Sequence, residues 1–179
     1  NPPSRIVTWN AAVAGLGVGP FTANEMPAIM VLGDTSVSSL PTEAGAFAGL
    51  ADDFDFAPGG DNAKIDGFKL TGATASGGLY VVDHAYELEI SNNRVSGNQG
   101  TYGGGITVGT PDNGATPGQV GNFNIHIHNN QVVKNAGVTG GGGIILYTGS
   151  DNYQIEHNTV TGNLTRGNGG GISHSGFSS

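Results

Sequence analysis

Two stretches of the chain gather side chains of the kind that hold metal ions. In Ala51-Asp-Asp-Phe-Asp-Phe-Ala-Pro-Gly-Gly-Asp61, the carboxylates of Asp52, Asp53, Asp55 and Asp61 stand on a glycine-rich turn. Hard oxygen donors set this close together are what calcium takes, although the spacing is not that of an EF-hand loop. Phe54 and Phe56 would pack the segment down, and the plainer reading of the same residues is a solvated acidic loop. In Ile125-His-Ile-His128, alternation puts His126 and His128 on one face of a strand. Glu156, in a later stretch of the same pattern, falls beside them when the stretches are aligned. Two imidazoles and a carboxylate form a donor set for zinc or copper; the competing reading is a ladder of solvated ion pairs between strands. The chain has no cysteine, which excludes thiolate metal sites and disulfides.

The elements that must position these groups are set by composition and repetition. Glycine supplies 33 of 179 residues, about 18 % against a usual figure of about 7 %. A helical bundle is excluded, because each interior glycine costs a helix about 1 kcal/mol relative to alanine. The glycines do not recur at every third position, so the chain is not collagen-like. Three stretches superpose: Leu88-Glu-Ile-Ser-Asn-Asn-Arg-Val-Ser-Gly-Asn98, Ile125-His-Ile-His-Asn-Asn-Gln-Val-Val-Lys-Asn135 and Tyr153-Gln-Ile-Glu-His-Asn-Thr-Val-Thr-Gly-Asn163. Each is followed by a glycine run and apolar residues: Gly103-Gly104-Gly105-Ile106, Gly141-Gly142-Gly143-Ile144 and Gly169-Gly170-Gly171-Ile172. A degenerate copy reads Ile65-Asp-Gly-Phe-Lys-Leu70 with Gly77-Gly78-Leu79-Tyr-Val81, and a partial one Ile6-Val-Thr-Trp9 with Ile29-Met-Val31.

Alternation of apolar and polar residues over a few positions predicts short strands with one face buried, about three per repeat. Strands that recur at this period stack in parallel, one repeat above the next, about 4.8 Å apart. The anchors Ile65, Ile90, Ile127 and Ile155 lie 25, 37 and 28 residues apart, and the long step is taken up by a loop from Thr110 to Asn122. Asn93, Asn130 and Asn158 occupy equivalent corners. Asparagine tolerates the left-handed backbone of a tight corner, and stacked amides bond from one repeat to the next. The pattern predicts outward columns Lys64–Glu89–His126–Gln154 and Asp66–Ser91–His128–Glu156, so that Glu89 neighbours His126 and His128 neighbours Glu156. A third outward column, Tyr80–Thr107–Ile145–Ser173 flanked by Tyr147, offers Tyr80 and Tyr147 as rings for stacking on sugars. The same strip equally suits a covering loop or partner.

Fourteen acidic against six basic residues give a net charge of −8, and Arg5, Lys64, Lys69, Arg94, Lys134 and Arg166 are scattered singly. A phosphate backbone needs clustered bases, so nucleic acid is not an expected partner. No apolar run approaches the roughly 20 residues of a membrane span. The glycine runs are not phosphate loops, since no Lys-Ser/Thr follows them, and no nucleophile-elbow spacing occurs.

The Asn-Asn-x-Val-x-x-Asn corners and Gly-Gly-Gly-Ile strands resemble those of the right-handed parallel β-helix proteins of the pectate-lyase-like superfamily. The resemblance covers residues 61–179 well and residues 1–60 loosely, and the segment from Ile144 to Gly171 is similar to large exported bacterial β-helix proteins. It implies an all-β solenoid of four to five coils in an extracellular or cell-envelope setting of a bacterium. Enzymes of this superfamily cleave or epimerise polysaccharides. The Asp-Asp with Gly-His-Gly and Arg-Ile-Lys set of galacturonan hydrolases and the Asp-Pro-His-Asp of alginate epimerases are absent. Val82-Asp83-His84 resembles a lyase fragment, with Asp83 or His84 as acid or base, but no arginine lies near in sequence.

The expectation is therefore one continuous domain: residues 1–60 as an irregular leading coil with a long acidic loop, and residues 61–179 as regular coils. No capping element precedes Ile6 or follows Ile172, and solenoids need caps. The chain reads as a section of a longer solenoid, its open edges met by further coils or a partner subunit. Its expected role is structural or adhesive, needing no cofactor beyond the calcium considered above, with a polysaccharide-active enzyme as the alternative.

Overall fold

The computed structural model of the protein describes residues 27–32, 63–74, 76–83, 85–109, 122–147 and 150–175. Among these residues every regular element is a β-strand. The first is β1 (Ile29–Leu32). One repeat follows as β2 (Lys64–Asp66), β3 (Lys69–Thr71) and β4 (Leu79–Asp83). The next holds β5 (Glu89–Ser91), β6 (Arg94–Ser96), β7 (Gln99–Gly100) and β8 (Ile106–Val108). A third consists of β9 (Asn122–Phe123), β10 (His126–His128), β11 (Gln131–Val133), β12 (Ala136–Gly137) and β13 (Ile144–Tyr147). The last consists of β14 (Ser150–Asp151), β15 (Gln154–Glu156), β16 (Thr159–Thr161), β17 (Leu164–Thr165) and β18 (Ile172–Ser175). The three-strand expectation per repeat thus misses the two-residue strands, which are too short to show alternation. Asn122, expected in the long loop, opens β9, and residues 110–121 lie outside the described residues.

Equivalent strands of successive repeats pair side by side and in parallel. The sheets run β1-β4-β8-β13-β18, β2-β5-β10-β15, β3-β6-β11-β16, β7-β12-β17 and β9-β14. The register is the one the anchors predict: Ile65, Ile90, Ile127 and Ile155 lie side by side, as do Leu70, Val95, Val132 and Val160. Of the leading stretch 1–60, residues 27–32 are described, and β1 joins the main stack by pairing with β4. This is a stack of parallel strand repeats consistent with a β-solenoid.

The local rule that builds it is a period of five. Left-handed residues recur at Glu87, Asn92 and Gly97, at Asn124, Asn129 and Lys134, and at Asn152, His157 and Gly162. Each makes a one-residue corner. The residue after it points inward, as does the residue two further on, giving buried Leu88 and Ile90, Asn93 and Val95, Asn98 and Gly100. Left-handed backbone costs most residues roughly 1–2 kcal/mol, less for asparagine and glycine. The corners at Glu87, Lys134 and His157 are held by the pairing around them. The ladder residues Asn93, Asn130 and Asn158 are not themselves left-handed, contrary to expectation; that conformation falls one residue earlier.

Inward-facing aliphatic side chains fill the centre of the stack. Leu79, Val81, Ile90, Val95, Ile106, Val108, Ile125, Ile127, Val132, Ile144 and Leu146 form one continuous core, each contributing about 1.5–3 kcal/mol of burial. Two columns of asparagine run beside them. In the first, Asn93 Nδ2 donates to Asn130 Oδ1 and Asn130 Nδ2 to Asn158 Oδ1, both at 3.0 Å. The backbone N–H of Asn93 and of Asn130 donates to the same oxygens at 2.9 Å. In the second, Asn98 donates to Asn135 at 3.0 Å and Asn135 to Asn163 at 3.1 Å. Each amide therefore bonds a neighbouring corner that would otherwise carry unmet polar groups in an apolar interior.

Candidate functional site

The sheet β2-β5-β10-β15 carries the densest set of chemically able side chains on its outer face. Backbone register sets Glu89 between Lys64 and His126, and Ser91 between Asp66 and His128. Lys64 Nζ lies 2.7 Å from Glu89 Oε2. The other Glu89 oxygen takes Ser91 Oγ at 3.0 Å and His128 Nε2 at 3.1 Å. Ser91 Oγ also lies 2.7 Å from Asp66 Oδ1, which accepts from Asn92 Nδ2 at 2.7 Å. On the last repeat, His126 Nε2 meets Glu156 Oε1 at 2.9 Å, and His157 Nδ1 is 3.8 Å from Glu156 Oε2.

The two histidines thus exchange partners relative to the expected columns. Glu89 is beside His126 in the backbone but bonds His128, while Glu156 is beside His128 but bonds His126. The imidazoles, two residues apart on one face, lie 4.2 Å apart by ring centroids and tilted by 33°. Asn129 Nδ2 engages His128 Nδ1 at 2.9 Å. The expected zinc or copper set of His126, His128 and Glu156 is not formed: the two Nε2 atoms turn to different carboxylates. Among the described residues no three His, Cys, Asp or Glu side chains converge to hold a metal ion.

Electrostatics here favours charged groups locked in pairs. The hydrogen bond from Lys64, followed by those from Ser91 and His128, holds Glu89 below the usual glutamate range despite partial burial. Hydrogen bonds from Ser91 and then Asn92 hold Asp66 low in the same way. Glu89 in turn raises Lys64. Acid–base chemistry with two carboxylates needs their pKa values pushed apart, one up and one down. Asp66 and Glu89 are both pushed down.

The sheet of Tyr80 and Tyr147 differs from the expected open strip. Tyr80 and Tyr147 are 1 % and 4 % exposed, and Thr107 and Ile145 between them are buried as well. The cause is the glycine run ahead of each strand, which folds back across that strand's outer face. A side chain at Gly103 would run into Thr107 and Ile145, and one at Gly141 into Ile145 and Ser173. Tyr102 closes the strip at one end. Its ring stands edge-on to Tyr147 at 6.5 Å, and its carbonyl accepts the Tyr147 hydroxyl at 2.7 Å. Burial pushes the Tyr147 phenol up to about 12. These rings do not present a face to a sugar.

Asp83 ends β4, and the backbone there pairs Leu32 with Asp83. His84 and the acidic set Asp52, Asp53, Asp55 and Asp61 lie outside the described residues. The second asparagine column, Asn98–Asn135–Asn163, is what sequence reasoning missed, although these residues end each aligned stretch. No helix among the described residues is long and apolar enough to cross a membrane. The chain matches no protein-family model, no curated protein and no solved structure.

Proposed function

We propose that this chain is a non-catalytic structural or adhesive segment of a right-handed parallel β-helix, belonging to a large exported or cell-surface protein. It presents a rigid surface to a partner or a polysaccharide. The right hand is the one that parallel crossovers favour, and the corner and glycine-run motifs resemble the pectate-lyase-like superfamily.

The observation that carries the reading is the use made of the polar outer face. Its charged side chains are consumed in pairs that join one repeat to the next: Lys64 with Glu89, Glu89 with His128, and His126 with Glu156. Such pairs join neighbouring repeats, and the two of its acids with a perturbed pKa, Asp66 and Glu89, are both held low rather than raised. The test is an assay for unsaturated product and for new reducing ends on uronate polymers and neutral glycans. No turnover is expected. Cleavage by the intact protein that disappears in Asp83→Ala would overturn the reading in favour of a polysaccharide lyase or hydrolase.

A further inference from the structure

We infer that the side of the stack formed by the outer faces of β3-β6-β11-β16 and β7-β12-β17 docks on an anionic lipid surface. The inference rests on the reading of the chain as a non-catalytic segment that presents a surface, and it names that surface and what it meets.

Bases that are single in the sequence are gathered by the fold. Four of the five described lysines and arginines, Lys69, Arg94, Lys134 and Arg166, are exposed on this side, one from each repeat. No described acid stands on these strands or at the corners between them. Asp66, Glu89 and Glu156 lie on β2-β5-β10-β15, Asp83 ends β4, Glu87 precedes β5 and Asp151 ends β14. Two of the cations are placed at a structural cost. On the neighbouring sheet Lys64 has Glu89 beside it in register. Arg94, whose neighbours are both described, instead has Lys69 on one side and Gln131 on the other, and like charges directly opposite each other destabilise a sheet. Lys134 is left-handed at φ 55°, at a corner where the repeats on either side place Gly97 and Gly162; a lysine there gives up the conformational ease of glycine. A neutral residue at Arg94 and a glycine at Lys134 would remove both costs, and both costs put a cation on the same side.

Aliphatic side chains lie among the cations and fix the occupant. Ala136 and Leu164 are register partners, and Val138 is 49 % exposed. Val138 is not at an end of the stack: its N–H donates to Gly100 O in one neighbouring repeat, and the Arg166 N–H of the other donates to Gly137 O. The strands β3, β6, β11 and β16 pair without a bulge, and the outward residues Thr71, Ser96 and Thr161 are short. The face is thus a plane, whereas protein partners are held by anchors seated in pockets. These strands carry no aromatic residue, which single-stranded nucleic acid uses for stacking. The cations step from repeat to repeat, about 4.8 Å at a time, so they address several anionic groups rather than one ion. A bilayer with anionic headgroups answers both features: its phosphates take the cations, and its interfacial zone takes Val138 and Leu164.

The test is cosedimentation of the full chain with vesicles of phosphatidylglycerol and phosphatidylcholine in equal parts, against vesicles of phosphatidylcholine alone. Binding to the mixed vesicles is expected, at least about tenfold tighter than to the neutral ones, and it should weaken as salt is raised. Each cation near a charged bilayer contributes about fivefold, so Arg94→Gln combined with Lys134→Gly should weaken binding by about 25-fold. Glutamine is already the residue beside Arg94, and glycine the residue beside Lys134, so both changes suit the fold; an unchanged circular dichroism spectrum checks this. Val138→Asp should weaken binding by about tenfold. Lys64→Gln, a loss of one cation from the neighbouring face, should change it by less than about twofold. No binding to the mixed vesicles, equal binding to both kinds, or a loss in Lys64→Gln as large as in the double variant would overturn the proposal. Binding of oligothymidylate but not of vesicles, abolished by the same variants, would overturn it in favour of nucleic acid. The glycan assay above reads turnover alone, so the vesicle result and the non-catalytic reading fail separately.

Discussion

The residue that does most here is asparagine, and its work is structural. At Asn130 one side chain accepts from the N–H and Nδ2 of Asn93 and donates to Ile90 O at 2.8 Å and to Asn158 Oδ1. Asn130→Leu keeps the branched shape but strands the buried Asn93 N–H, at about 1–3 kcal/mol, removes the side-chain bond to the Ile90 carbonyl and puts a larger side chain into a packed corner. The expected loss is about 2–5 kcal/mol, read by chemical unfolding. Asn158→Leu, at the half-buried end of the same column, should cost clearly less. The carboxylates give a second prediction. Glu89 and Asp66 are held below their unfolded values. Their contribution is therefore complete above about pH 4.5, where unfolded carboxylates are ionised, and is lost as pH falls through the folded values. Glu89→Gln should flatten the acid limb of a stability–pH curve; an unchanged limb would remove Glu89 from the account.

At the scale of the element, what was legible in the sequence was whatever repeats. The isoleucine anchors and the glycine runs carry the register correctly from β2 to β15, because a one-residue slip would turn a whole strand inside out. The five-residue corner period was also there to be read, in the spacing of Leu88, Asn93 and Asn98, and would have revealed the second ladder. The diagonal pairing of His126 with Glu156 was not legible, since it depends on how two crowded rings lean. Nor was the cover over Tyr80 and Tyr147: a glycine run announces close approach but not which surface is approached. That close approach yields a contrast within one column. Gly143→Ala forces a methyl against Gly171 O and Val160 and should cost about 1–3 kcal/mol. Gly171→Ala meets open space and should fall within about 0.5 kcal/mol of the parent. Equal effects at the two sites would contradict the stacking order.

At the scale of the whole molecule, the described residues form a stack whose repeats are joined by backbone ladders, a continuous aliphatic core, two amide columns and a face of ion pairs. Long-range contacts dominate such a fold, and each repeat depends on its neighbours. The most direct test uses the absence of cysteine in the chain. Gln131 and Thr159 are exposed register partners on β11 and β16, so their Cα atoms should lie within the roughly 4.4–6.8 Å that a disulfide spans. Gln131→Cys with Thr159→Cys should oxidise readily to an intramolecular crosslink. Gln131→Cys with Thr161→Cys, two residues out of register, should not. Crosslinking that ignores this offset, or that favours the second pair, would contradict a parallel, in-register stack.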